Sequence, residues 1–252
     1  MLRPEGSRNI KLTIRYDGTD FKGWQTQPGH RTVQETLEAA ITKLGGERTR
    51  LNASGRTDAG VHAVGQVANF YTRMVHDAPT LVRALNAHLP PDVSVAEAQD
   101  MLQSFDANRD ARRKLYRYVI HDGEVPDIFL RRFCHHSRRR LDVEAMRRAA
   151  VPLVGRHDFH SFESGWPNRM SSVRTVTQLH LSRALDWIWL DVEADGFLYN
   201  MVRAIAGTLI NVGRGHWPED MVAAILEGED RRKAGPTAPA QGLFLMRVSY
   251  AD

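Results

Sequence analysis

Only one of the 252 residues, Cys134, is a cysteine, so no intrachain disulfide can form. That points to a reducing compartment and excludes a zinc deaminase built on a Cys-x-x-Cys pair. No run approaches the ~18 apolar residues of a membrane span, and the opening MLRPEGSRNIK lacks the apolar core of a secretory signal. A cytoplasmic protein with no membrane partner is expected. Also missing are a G-x-x-x-x-G-K-[ST] phosphate loop, a G-x-G-x-x-G turn opening a helix, and a G-x-S-x-G nucleophile elbow. Tyr16-Asp17-Gly18-Thr19 shares its end with the D-x-D-G-T loop of aspartyl-phosphate enzymes, but Arg15 stands where the first aspartate belongs. His157 and His160 are three apart and His135 and His136 adjacent, yet no cysteine or acidic set completes a metal site. No metal is expected.

The charge balance is mild: 34 Lys and Arg against 30 Asp and Glu, a net +4. Its distribution says more. Arg109, Arg112, Arg113, Lys114 and Arg117 form one cluster; Arg131, Arg132, Arg138, Arg139 and Arg140 a second; Arg231, Arg232 and Lys233 a third. Each could be a solvated helix face or turn. Arginine-dominated clusters interleaved with aromatics also suit a polyanion, because the planar guanidinium fork can bind two phosphate oxygens at once.

Both halves read with the same order of elements. Ile10, Leu12, Ile14 and Tyr16 alternate with more polar neighbours over Asn9–Asp17, a strand pattern. Thr32-Val33-Gln34-Glu35 reads as a capping box opening a helix through Leu44, with Gly45-Gly46 as its stop. Strands follow around Arg48–Ala53 and Val64–Tyr71, then a helix over Thr80–His88 and a strand over Val93–Ala98. In the second half, Lys114–His121 reads as a strand, Asp142–Leu153 as a helix, and Val173–Leu181 with Trp187–Val192 as a hairpin. Helices over Phe197–Val212 and Pro218–Leu226 and a strand over Leu243–Tyr250 close the chain. The expected fold is α+β: two ferredoxin-like βαββαβ halves, residues 1–107 and 108–252, with helices on one face of a continuous mixed sheet. The other face of such a sheet can stack bases on aromatics and hold phosphates, with Tyr116, Arg117 and Tyr118 as candidates; the tyrosines could equally be half-buried strand residues.

The chemistry centres on Asn52-Ala53-Ser54-Gly55-Arg56-Thr57-Asp58-Ala59-Gly60-Val61-His62. Here a carboxylate sits between two glycines among small residues, just after a strand, leaving room for a planar substrate. One reading is a turn whose aspartate bonds its own backbone. The other is reactive: if Arg56 points the same way, it holds Asp58 ionised well below pH 7, from a reference pKa of about 3.9. An ionised carboxylate needs no histidine to act as nucleophile or base.

Gly55-Arg56-Thr57-Asp58-Ala59-Gly60-Val61-His62 resembles the active-site motif of the TruA family of tRNA pseudouridine synthases. The likeness runs along nearly the whole chain. Tyr16-Asp17-Gly18 through Gly23-Trp24-Gln25 is similar to the family's Y-D-G…G-W-Q signature, Asn86-Ala87-His88-Leu89-Pro90 to its N-x-x-L-P segment, and Tyr116-Arg117-Tyr118 to its Y-x-Y strand. Asp158-Phe159-His160-Ser161-Phe162 is similar to its D-F-x-S-F, and Met201-Val202-Arg203 with Gly207 to its M-V-R-x-x-x-G helix. One segment departs: Phe105-Asp106-Ala107-Asn108 stands where the family has F-H-A-R, with Arg109 one position late.

The resemblance implies the pseudouridine synthase fold and isomerisation of uridine to pseudouridine without a cofactor, at positions 38, 39 and 40 of the tRNA anticodon stem-loop. It implies Asp58 as nucleophile, Tyr116 stacked on the uracil, Arg203 paired with Asp58, and Arg56 in the space left by the extruded base. It also implies a homodimer. A non-catalytic protein with two RNA-binding modules would keep the basic clusters and tyrosines but would not need Asp58.

Overall fold

A computed structural model of the chain describes residues 5–45, 48–165 and 171–251. Its elements are β1 (Arg8–Tyr16), α1 (Val33–Gly45), β2 (Asn52–Ala53), β3 (His62–Thr72), α2 (Ala78–His88), β4 (Val93–Met101), β5 (Ala111–His121), β6 (His135–His136), α3 (Val143–Ala150), β7 (Gly155–Asp158), β8 (Val173–Ala184), β9 (Trp187–Ala194), α4 (Met201–Gly213), α5 (Met221–Glu227) and β10 (Leu243–Tyr250). The fold is α+β. Contacts divide it into two compact units: residues up to Arg112 with those from Leu245 onward, and Arg113–Phe244.

In the first unit the strand order is β4-β1-β3, antiparallel, with β2 also pairing antiparallel with β3. This is the expected ferredoxin-like order. Alternation builds the core: Ile10, Leu12 and Ile14 are fully buried and lie opposite Phe70, Ala68 and Gln66 on β3. Thr32 caps α1 by accepting the Glu35 amide at 3.4 Å, as the capping box predicts. Gly46, the second glycine of the expected stop, lies outside the described residues. The strand expected over Arg48–Ala53 shrinks to Asn52–Ala53. Leu51 explains this, because α1 takes its backbone groups: its amide donates to Glu38 Oε1 at 2.9 Å and its carbonyl accepts from Gln34 Nε2 at 3.4 Å.

In the second unit the order is β5-β9-β8-β7, antiparallel, with β6 parallel to β5. The expected β8–β9 hairpin is present. The helix expected over Asp142–Leu153 begins after Asp142, whose carboxylate caps the Ala145 amide at 2.9 Å, and gives way at Ala150 to a 3-10 turn containing Pro152. The helix expected from Phe197 begins at Met201, after Asn200 at a φ of +62°. Strand β7 has no counterpart in the sequence pattern. No helix among the described residues is long and apolar enough to cross a membrane.

Candidate active site

Asp58 lies on the loop between β2 and β3, and that loop is braced from three sides. The Val61 amide donates to the Asp58 carbonyl at 3.1 Å, closing a β-turn in which Gly60 takes a φ of +77°. The backbone therefore turns at this aspartate. Beneath it, the Tyr16 hydroxyl and Thr57 Oγ1 share a buried bond of 2.8 Å. Burial raises the Tyr16 hydroxyl pKa, so it stays protonated across the working range. Gln66, fully buried on β3, bonds Ser54 Oγ at 2.8 Å and the Gly55 carbonyl at 3.0 Å, pinning the start of the loop.

The third brace is the N-terminal signature. The Trp24 amide donates to the Thr57 carbonyl at 3.0 Å, and the Gly60 amide to the Phe21 carbonyl at 3.3 Å. Gly23 has a φ of +88°, and a Cβ there would stand 2.7 Å from Thr57 O and 3.2 Å from both Ala59 N and the Asp58 carbonyl carbon. A Cβ on Gly18 would overlap the Val61 carbonyl, while the Gly18 amide donates to His62 Nδ1 at 3.0 Å. The Y-D-G and G-W-Q residues are thus a cradle for the Asp58 turn, which gives a physical reason for glycine at both positions. Asp58 itself is half-buried and Arg56 is exposed.

Tyr116 and Arg203 belong to the second unit. Tyr116 is buried on β5, and its ring meets Phe197 edge-on with centroids 4.9 Å apart. Phe197 was not picked out by motif reading; its signal is an aromatic four residues ahead of the M-V-R helix. Arg203 lies in the first turn of α4, where Nε donates to the Ala238 carbonyl at 2.7 Å and Nη1 to Asn200 Oδ1 at 2.8 Å. The other candidates for an open sheet face are corrected. Tyr118 is completely buried, with its hydroxyl on the Pro239 carbonyl at 2.8 Å, so it is a core residue and cannot stack on a base. Arg117 is held bidentate by Asp191, with both bonds at 2.7 Å.

The basic clusters are partly neutralised from within. Arg109 pairs with Asp110 and also donates to the Ser104 carbonyl, Arg140 pairs with Asp186, and Arg232 with Asp230. Arg112, Arg138 and Arg139 are exposed, and the charge of Arg112 helps hold the Asp110 carboxyl below its ordinary pKa. At the departure from F-H-A-R, Asp106 accepts the amides of Asn108 and Arg109, each at 2.9 Å. Burial opposes its ionisation, but those amides and Asn52 outweigh it and hold the carboxyl below its ordinary pKa. Asp106 is thus a turn cap, and Arg109 is an exposed side chain paired with Asp110. Among the described residues no group of three His, Cys, Asp or Glu side chains could hold a metal ion.

A carboxylate on a glycine-cradled turn at the head of a strand fits a family model described as tRNA pseudouridine synthase, which matches residues 12–108 and 149–251. The chain belongs to that family of RNA-isomerising enzymes. Its relatives narrow the family to the TruA branch. Proteins named tRNA pseudouridine synthase A are 48% identical in Moorella thermoacetica, 45% in Acetivibrio thermocellus and 44% in Bacillus subtilis. Each alignment covers 96% of this chain, and 99%, 100% and 98% of the respective relative.

Proposed function

We propose that this enzyme isomerises uridine to pseudouridine at positions 38, 39 and 40 of the tRNA anticodon stem-loop, with Asp58 as the nucleophile. The observation that carries the reading is the bracing of the Asp58 turn by Gly23, Thr57–Tyr16 and Gln66. So much buried hydrogen bonding is spent on placing one half-buried carboxylate. A fixed attacking group pays its ordering entropy during folding and not at the reaction step.

In this reading the N1–C1′ bond of uridine breaks, the uracil rotates, and a C5–C1′ bond forms; the C5 proton leaves and N1 gains one. Asp58 attacks the nucleotide, Arg203 pairs with its carboxylate, and Tyr116 stacks on the uracil and assists proton removal from C5. Arg56 fills the space of the extruded base. Unstacking costs a few kcal/mol, which base stacking of ~1–3 kcal/mol per base can offset. The protein works in the cytoplasm as a homodimer, and each chain comprises ferredoxin-like halves 1–107 and 108–252.

Tritium release from uridine-5-labelled tRNA transcripts bearing a single uridine at position 38, 39 or 40 tests the site range. Release from all three supports it. Release only from a uridine elsewhere in the tRNA contradicts it.

A further inference from the structure

Arg231, in the third basic cluster, is not placed as a phosphate contact would be. Arg231 is half-buried: Nη1 donates to the Gly235 carbonyl and Nη2 to Thr237 Oγ1, both at 2.9 Å, while Nε is buried with no hydrogen-bond partner. The neighbouring carboxylate of Asp230 is taken by Arg232. Arg231 therefore spends its charge on two neutral acceptors inside its own chain. An arginine waiting for phosphate would instead keep its fork in solvent.

What Arg231 ties down is a strap of residues 231–239 lying across α4. A Cβ on Gly207 would fall on the Pro236 carbonyl oxygen, and one on Gly235 would stand 2.5 Å from the Thr208 amide nitrogen. The strap and helix touch backbone to backbone there. The Gly235 amide donates to Thr208 Oγ1 at 2.9 Å, and that hydroxyl donates to the Ala204 carbonyl at 2.8 Å. Three residues on, Ala238 pairs with Arg203 in both directions: its amide donates to the Arg203 carbonyl at 3.1 Å, and its carbonyl accepts Arg203 Nε at 2.7 Å. The Pro239 carbonyl then accepts the Tyr118 hydroxyl, two residues from Tyr116 on β5.

We propose that Arg231 is a positioning residue: by clamping the 231–239 strap onto α4 it fixes the Ala238 carbonyl, and through it the guanidinium of Arg203. This rests on the role given to Arg203 under the proposed function. The clamp needs a fork, since two acceptors in different directions must be held together. A lysine at this position keeps the charge but is a point donor on a flexible stem.

The test is steady-state kinetics with tRNA on Arg231→Met and Arg231→Lys, alongside Arg203→Lys, with tRNA binding measured over a salt series. Positioning predicts a kcat reduced about tenfold or more in both Arg231 variants, since small displacements of a reacting constellation are costly. KM for tRNA and the salt dependence of binding should stay within about threefold of wild type. A phosphate contact gives the reverse pattern, a raised KM and a shallower salt dependence with kcat kept and Arg231→Lys near normal. That pattern overturns the proposal, and so does an unchanged kcat. If Arg203→Lys is inactive while Arg231→Met is normal, the clamp alone fails. If Arg203→Lys is fully active, the role of Arg203 fails and takes the clamp with it. Should Arg231→Met not fold, Thr208→Val removes the Gly235 anchor at nearly constant volume, and the same fall in kcat is expected.

Discussion

Replacing Gly23 by alanine tests whether the N-terminal signature positions Asp58. The substitution has two separable costs. A φ of +88° is left-handed backbone, which costs an L-residue about 1–2 kcal/mol. The new Cβ would also stand 2.7 Å from the Thr57 carbonyl oxygen and 3.2 Å from backbone atoms of Asp58 and Ala59. Nothing flexible lies there to yield, and the Thr57 carbonyl is itself bonded by the Trp24 amide. Restoring ordinary contact moves the Asp58 turn by a good fraction of an ångström, and a misplacement on the order of 1 Å costs about 10²-fold in rate. Gly29→Ala supplies the control: its φ of +73° carries the same backbone cost, but no atom lies within 4 Å of its Cβ. Single-turnover tritium release should therefore fall about 10²-fold in Gly23→Ala and stay near wild type in Gly29→Ala, with both proteins folded by circular dichroism. Wild-type rates in folded Gly23→Ala would refute the cradle.

Other outcomes follow from buried polar groups. Thr57→Val leaves the buried Tyr16 hydroxyl short of a partner and should cost about 1–3 kcal/mol in urea denaturation; adding Tyr16→Phe should recover part of that loss. Asp122, fully buried between Arg183 at 2.6 Å and Arg140 at 3.3 Å, also accepts the Leu141 amide. Asp122→Ala should destabilise the protein by about 3–5 kcal/mol, because an arginine is left without its counter-charge. His135 is pushed down from an ordinary 6.5 to about 4 by burial, and by the charges of Arg214 and His136. The unfolded chain binds this proton first, so stability is fully present above pH 6.5 and is lost as pH falls toward 4. A melting temperature that declines over that window, with a shallower decline in His135→Gln, is the expected result.

Strand β1 and the start of α1 were the most legible in the sequence, because their signals are local. Period-two alternation in β1 and the Thr32 cap depend on residues within a few positions of one another. Less legible features depend on distant partners. The shortening of β2 is set by Glu38 and Gln34 reaching Leu51 from α1, contacts that no periodicity records. The basic clusters looked freer than they are, since Arg117 meets an aspartate 74 residues away and Arg140 one 46 residues away. Tyr116 and Tyr118 share one face of β5 in any strand reading, but only the structure shows Tyr118 sealed under Pro239 and Gly242. At the site, the motif pointed to Asp58; the supports at Gly23 and Gln66 became meaningful once their contacts were visible. The F-H-A-R departure likewise resolves into a local turn, with Asp106 as cap and Arg109 paired to Asp110.

The proposed role of Asp58 as nucleophile is tested most directly by removing its charge. Asp58→Asn preserves size and shape while removing the negative charge. Tritium release from uridine-5-labelled tRNA should be undetectable with Asp58→Asn, while its tRNA binding stays near that of wild type. Release by Asp58→Asn at the wild-type rate would show that Asp58 is not the nucleophile.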